Sequence, residues 1–173
     1  METRSLQAEF TNDGNTLSGI IPYDSPTTIH ENGRTFTEVI RPGAFRSSMT
    51  SDVIATFNHN PGRLLGRTSS GTLSLVDGPS YLRFSVQLPE SAADVRELVQ
   101  RGDLKGASFT FSVRSGGEHW QNGTRELRDV NLFEIGPVVQ PAYTASSLKL
   151  RSAGLSLMAM RLRLEENEHP GTT

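Results

Sequence analysis

Eight residues in the second half of the chain, Gly106-Ala107-Ser108-Phe109-Thr110-Phe111-Ser112-Val113, alternate between apolar and hydroxyl side chains. A period of two belongs to an extended strand, which turns successive side chains to opposite faces. Ala107, Phe109, Phe111 and Val113 therefore share the face that seeks a core. Ser108, Thr110 and Ser112 share the other. Ser108 follows directly on the Lys105-Gly106 connection and reads as a hydroxyl facing a cleft. Hydroxyl residues are ordinary on the polar face of a strand, so the pattern alone assigns no chemistry.

The same kind of segment recurs along the chain. Residues 6–10 alternate, and residues 17–21 follow across the turn signal Asn12-Asp13-Gly14-Asn15. Residues 35–40 and 53–58 read as strands, and residues 64–68 and 72–76 as a compact hairpin around Ser69-Ser70-Gly71. Residues 81–88 alternate again. A last long strand is expected over about residues 125–139, reached across Gln121-Asn122-Gly123.

Helical signals are few. Residues 43–50 suggest a short helix, with Ala44, Phe45 and Met49 on its apolar side. A clearer one starts at Ser91 as N-cap with Asp94 three residues on. It carries Val95, Leu98 and Val99 as a stripe and ends at Gly102. About seven short strands with so few helices predict a mostly β (α+β) fold: a closed or partly open β-barrel surrounded by a few helices.

Composition narrows the chemistry. At 173 residues the chain suits one domain with a real core. It has no cysteine, which removes disulfides, thiolate metal sites and a cysteine nucleophile. Its four histidines, 30, 59, 119 and 169, lack the spacing of a metal site, so neither a metal nor another cofactor is expected. A net charge of −2 without a basic stripe argues against nucleic acid as the main partner. No apolar run approaches the ~18 residues of a membrane span, and residues 1–4 lack the apolar core of a signal peptide.

Ser108 gains meaning from two distant residues. His59 ends the strand at 53–58, and by alternation shares a side with Val53, Ala55 and Phe57. Glu134 shares a face with Val130 and Leu132 by the same rule, and a carboxylate among apolar neighbours is costly unless paired. A solvent-exposed face or a neutralising arginine would also accommodate Glu134, and a structural role would accommodate His59. A nucleophilic triad explains all three together, with Glu134 orienting His59 and His59 taking the Ser108 proton. Asp129 and His119 are rival third members, and Arg67 or backbone N–H groups near Ser108 are candidates to hold an oxyanion.

Longer strings carry a resemblance. Phe57-Asn58-His59-Asn60 with Leu64-Leu65-Gly66-Arg67-Thr68 and Gly71-Thr72-Leu73 resembles the histidine block of the prohead proteases of tailed bacteriophages. Residues 102–111, Gly102-Asp103-Leu104-Lys105-Gly106-Ala107-Ser108-Phe109-Thr110-Phe111, resemble their serine block. Residues 132–143, beginning Leu132-Phe133-Glu134-Ile135-Gly136-Pro137, resemble their third block. Gly19-Ile20-Ile21-Pro22-Tyr23 and Glu38-Val39-Ile40-Arg41-Pro42-Gly43-Ala44-Phe45 match upstream, in the same order. The likeness spans roughly residues 5–148.

The resemblance implies a serine endopeptidase with a herpesvirus-protease-like barrel. It implies a protease that cuts scaffold protein or the scaffolding arm of the major capsid protein during head maturation, and that cuts itself. Ser108 is then the nucleophile, His59 the general base and Glu134 the matching acidic third member, although herpesvirus relatives use a second histidine. Residues 1–150 become the protease domain, and residues 151–173 a C-terminal docking or self-cleaved tail. The expected partners are capsid and scaffold proteins and a further copy of the chain, with no nucleic acid and no membrane. The expected location is the host cytoplasm, inside the immature capsid. The competing reading is a non-catalytic capsid- or scaffold-associated barrel protein.

Overall fold

The computed structural model describes residues 1–7 and 11–139. The strands in chain order are β1 (Glu2–Gln7), β2 (Thr11–Asp13), β3 (Thr16–Pro22), β4 (Thr27–Glu31) and β5 (Arg34–Ile40). They continue with β6 (Ile54–Phe57), β7 (Asn60–Arg67), β8 (Leu73–Asp77) and β9 (Tyr81–Gln87). After the helix α1 (Ala93–Gln100) come β10 (Gly106–Val113), β11 (Glu118–Gln121), β12 (Thr124–Leu127) and β13 (Val130–Val138). The fold is mostly β with few helices, as expected. The described residues hold thirteen strands where about seven were expected.

The strands form three sheets, ordered β1-β10-β13-β6-β7, β11-β12-β5-β4 and β2-β3-β9-β8. No ladder among the described residues closes these sheets into a ring. All three contribute to one core: Phe57, Phe109, Phe111 and Ile135 from the first, Leu127 from the second, and Leu17, Leu82, Phe84 and Val86 from the third. Phe45 joins aromatic contacts across it, stacked on Tyr23 at 6.2 Å and edge-on to Phe109 at 5.8 Å. Burial of each such ring stabilises the fold by roughly 1.5–3 kcal/mol.

Several local expectations shift. Residues 43–50 hold only a 3₁₀ turn at Arg46–Ser48. Ser91 does not cap α1, because a 3₁₀ turn at Glu90–Ala92 feeds the helix and Ala92 takes the cap position. Gly102 does end it in the left-handed conformation, with φ of 74°. The strands at 64–68 and 72–76 are not a hairpin. β7 pairs with β6, while β8 pairs with β9 in another sheet, so the Ser69-Ser70-Gly71 turn is a bridge between sheets. The long last strand divides likewise. Arg128 and Asp129 donate their N–H groups to the Gly117 carbonyl, ending β12, which runs parallel to β5, before β13 starts beside β10. The expected C-terminal tail, residues 151–173, lies outside the described residues.

Candidate active site

The five-stranded sheet has two unlike faces at its centre. On β10, Ala107, Phe109 and Phe111 point into the core, as their alternation requires. Ser108 and Thr110 point the other way. β1 and β13 flank β10 antiparallel, with Ser5 and Gly136 directly opposite Ser108.

Glu134 reaches the hydroxyl face by a β-bulge. The β10–β13 register shifts between Thr110 and Phe111: Phe111 faces Leu132, while Thr110 faces Glu134 and leaves Phe133 as the extra residue. A bulge inverts the alternation beyond it. Glu134 therefore sits opposite Thr110, away from the core face of Val130 and Leu132 where strict alternation had placed it. Thr56 on β6 donates a hydrogen bond from its hydroxyl to Glu134 Oε1.

His59 reaches the same face by a turn. Phe57 pairs with Asn60, so Asn58-His59 is a two-residue hairpin loop between β6 and β7. Both loop residues are left-handed, with φ of 53° and 55°. The strand has already ended, and the expected side shared with Ala55 and Phe57 no longer applies. The turn is tied to β13: Asn58 N–H donates to the Pro137 carbonyl at 3.1 Å, and Asn58 Oδ1 accepts from Val139 N–H at 2.8 Å. Gly136 permits this closeness, since a Cβ there would lie 2.1 Å from the Thr56 carbonyl oxygen.

These devices bring Ser108, His59 and Glu134 together. His59 Nε2 lies 2.6 Å from Ser108 Oγ, and His59 Nδ1 lies 3.3 Å from Glu134 Oε2. A carboxylate beside Nδ1 favours the tautomer with its proton on that nitrogen, and in that tautomer the Nε2 lone pair faces the Ser108 hydroxyl. Ser108 has no exposed surface, contrary to the cleft-facing expectation, whereas the His59 side chain is one-third exposed. Solvent thus meets the pair on the imidazole side.

Two further contacts complete the surroundings of Ser108. Its hydroxyl lies 2.9 Å from the Arg4 carbonyl oxygen as donor, and it accepts from the Ser5 hydroxyl at 2.9 Å. The single Ser108 proton has two competing acceptors, His59 Nε2 and the Arg4 carbonyl. Sequence reasoning missed Ser5 and Thr56. Thr56 leaves a faint signal as the one hydroxyl in the apolar run Val53-Ile54-Ala55-Thr56-Phe57, and Ser5 leaves none.

The rival residues lie elsewhere. His119 is on the exposed strand β11, which pairs with β12. Asp129 pairs with Arg114 at 3.4 Å, and His30 Nδ1 contacts the Thr35 hydroxyl at 2.9 Å. Arg67 is engaged at the surface by Asp52, whose carboxyl it lowers to about 2 by hydrogen bonding.

The family model of the caudovirus prohead serine proteases matches residues 1–161. The chain belongs to that family. It is a serine peptidase, with a role in capsid maturation inside the phage procapsid of the host cell and in contact with capsid or scaffold proteins. No curated protein and no solved structure matches it.

Proposed function

We propose that Ser108, His59 and Glu134 are the catalytic triad of this prohead protease. The observation that carries the reading is the continuous contact from Ser108 Oγ to His59 Nε2 at 2.6 Å and from His59 Nδ1 to Glu134 Oε2 at 3.3 Å. The substrate carbonyl approaches from the exposed side of the imidazole. Ser108 Oγ forms a bond to the carbonyl carbon as its proton passes to His59 Nε2, and the carbonyl π electrons move onto oxygen. Glu134 stabilises the imidazolium and holds its tautomer. Collapse breaks the C–N bond, and His59 returns the proton to the leaving amine. Water, deprotonated by His59, then releases the acyl group.

The substrates in this reading are scaffold protein or the scaffolding arm of the major capsid protein, together with the chain itself. Residues 1–150 form the protease domain, and residues 151–173 are the docking or self-cleaved tail. The three sheets around one core support a partly open barrel of the herpesvirus-protease kind. The protease works in the proheads of the host cytoplasm, where a second copy of the chain is a further partner.

The test is labelling with a fluorophosphonate probe, with the modified residue mapped by mass spectrometry, beside co-expression with capsid and scaffold proteins. The expected result is a label on Ser108, with Ser108→Ala unlabelled and unable to process either partner. A label elsewhere, or processing by Ser108→Ala, overturns the assignment. Equal C-terminal masses for active and Ser108→Ala protein overturn self-trimming of the tail.

A further inference from the structure

An acyl-transfer site needs donors for the oxygen that becomes negative, and the backbone beside Ser108 is poorly placed to supply them. β10 is paired on both sides from Gly106 through Thr110, with β1 along one edge and β13 along the other. Backbone N–H groups of a strand lie in the sheet plane and point at neighbouring strands. The amides flanking Ser108 are thus directed into ladders. Arg67 is held by Asp52.

The Ser5 hydroxyl is placed differently. It lies on the same face as Ser108, directly opposite it in register, and donates to Ser108 Oγ at 2.9 Å. Ser5 is itself buried, at 8% exposure. Its position is fixed from the opposite face of β1, where Arg4 holds Glu38 at 2.7 Å and Glu2 accepts from Arg125 at 2.6 Å. Arg4 and Glu38 are both buried, so β1 is clamped rather than draped.

Resting on the triad reading, we propose that Ser5 is a further catalytic residue, the side-chain donor that stabilises the tetrahedral oxyanion formed on Ser108. Two oxygens on one tetrahedral carbon lie closer together than a hydrogen-bond length. A donor already in contact with Ser108 Oγ therefore reaches the new oxyanion by rotating its O–H bond when the substrate carbonyl oxygen is turned toward β1. The interaction strengthens as negative charge develops, so it acts on the transition state rather than on substrate binding. Ser5 transfers no proton. The Ser108 proton still goes to His59, and the Ser5 hydroxyl keeps its own.

The experiment is saturation kinetics of phosphonylation by a fluorophosphonate probe, whose phosphoryl oxygen occupies the oxyanion position. It compares the full chain with Ser5→Ala, Ser5→Thr, Thr3→Ala and Ser108→Ala. Thr3 is the control, because its hydroxyl meets Thr110 at 3.2 Å on the same face of β1, one pair away from the site. Ser5→Ala is expected to lower kinact by on the order of 10²-fold with KI unchanged, as loss of one oxyanion donor does. Ser5→Thr should recover most of the rate, and Thr3→Ala should match the parent. Should Ser5→Ala fail to fold, Ser5→Cys, similar in size with a weak donor, is expected to show the same loss of kinact. Labelling of Ser108 at the parent rate in Ser5→Ala, or equal losses in Ser5→Ala and Thr3→Ala, overturns the role of Ser5 and leaves the triad standing. Full labelling of Ser108→Ala overturns the triad itself, a result distinguishable from the first two.

Discussion

Three hairpins among the described residues turn on two left-handed residues, and they differ at the second. Asn32-Gly33 has φ of 52° and 74°, and Asn122-Gly123 has 49° and 75°. Asn58-His59 has 53° and 55°. Asn-Gly is the usual content of such a loop, because glycine has no Cβ to meet the following carbonyl. A side chain there costs roughly 1–2 kcal/mol. The first two turns only reverse the chain, whereas the third carries the imidazole that meets Ser108 and Glu134. In the triad reading, backbone strain is located where chemistry needs a side chain at a hairpin tip, in keeping with its clustering at functional sites.

The largest expected effect comes from making the third turn resemble the others. His59→Gly should lower cleavage by on the order of 10⁵–10⁶-fold, measured as the rate of capsid or scaffold processing. It should nevertheless be more stable than His59→Ala by about 1 kcal/mol in chemical denaturation, the reverse of the order found at unstrained positions. Gly33→Ala should show the same penalty with cleavage unchanged, since a Cβ at Gly33 meets only open space. If His59→Ala proved the more stable variant, position 59 would be unstrained and the contrast between the turns would fail.

The second effect tests what holds the imidazole at that tip. Glu134→Gln keeps a hydrogen-bond acceptor but removes the charge facing the imidazolium, so processing should slow by about 10²–10⁴-fold. Thr56→Val removes one hydrogen bond to the carboxylate, typically worth about 1.5–3 kcal/mol when the acceptor is charged, and should slow processing by about 10- to 10²-fold. Asp129→Asn and His119→Ala should stay within about threefold of the parent. A dead His119→Ala beside a normal Glu134→Gln would move the third role to the histidine.

The two devices behind this site mark the limit of what the sequence disclosed. Alternation identified the core face of β10 correctly, because Ala107, Phe109 and Phe111 lie on an unbroken strand. The same rule placed His59 and Glu134 on the core side, and both lie on the hydroxyl face. A bulge at Phe133 and a turn at Asn58-His59 reset the period, and neither has a glycine at the decisive position to announce it. β4 went unnoticed although Asn32-Gly33 is a plain hairpin signal. Sheet partners were hidden for a different reason: pairing is non-local. Ser69-Ser70-Gly71 looks the same whether it joins two strands of one sheet or passes between sheets.

A smaller effect separates the first residues of the turns. Asn58 and Asn32 share a conformation, but Asn58 Oδ1 also accepts from Val139 N–H. Asn58→Gly should therefore cost about 1 kcal/mol of stability, the usual net value of a hydrogen bond. Asn32→Gly should stay within about 0.5 kcal/mol, as expected at an exposed turn. Equal costs in thermal unfolding would mean that the Val139 tether does not help fix the Asn58-His59 turn.

The smallest effect lies at the other edge of the sheet, where β1 is held by charge rather than by backbone strain. Glu2 is lowered from its ordinary value of 4.5, chiefly by the hydrogen bond from Arg125, with Arg4 adding to it. A depressed carboxylate contributes stability that is complete above its unfolded value and is lost as pH falls through its folded value. The difference in stability between the parent and Glu2→Gln should therefore be constant from neutral pH down to about 5 and shrink below 4.5. Solvent screening at the partly exposed Glu2 keeps that difference below about 1 kcal/mol. Other lowered carboxylates, such as Glu126 held at about 2 by Arg41 and Arg128, share the acid limb but cancel in the difference. A strained turn has no such dependence, so the His59→Gly and His59→Ala difference should stay flat over the same range. If that difference also shrank in acid, the stability of the Asn58-His59 turn would rest on titrating contacts, and the separation of strain-held from charge-held elements would not stand.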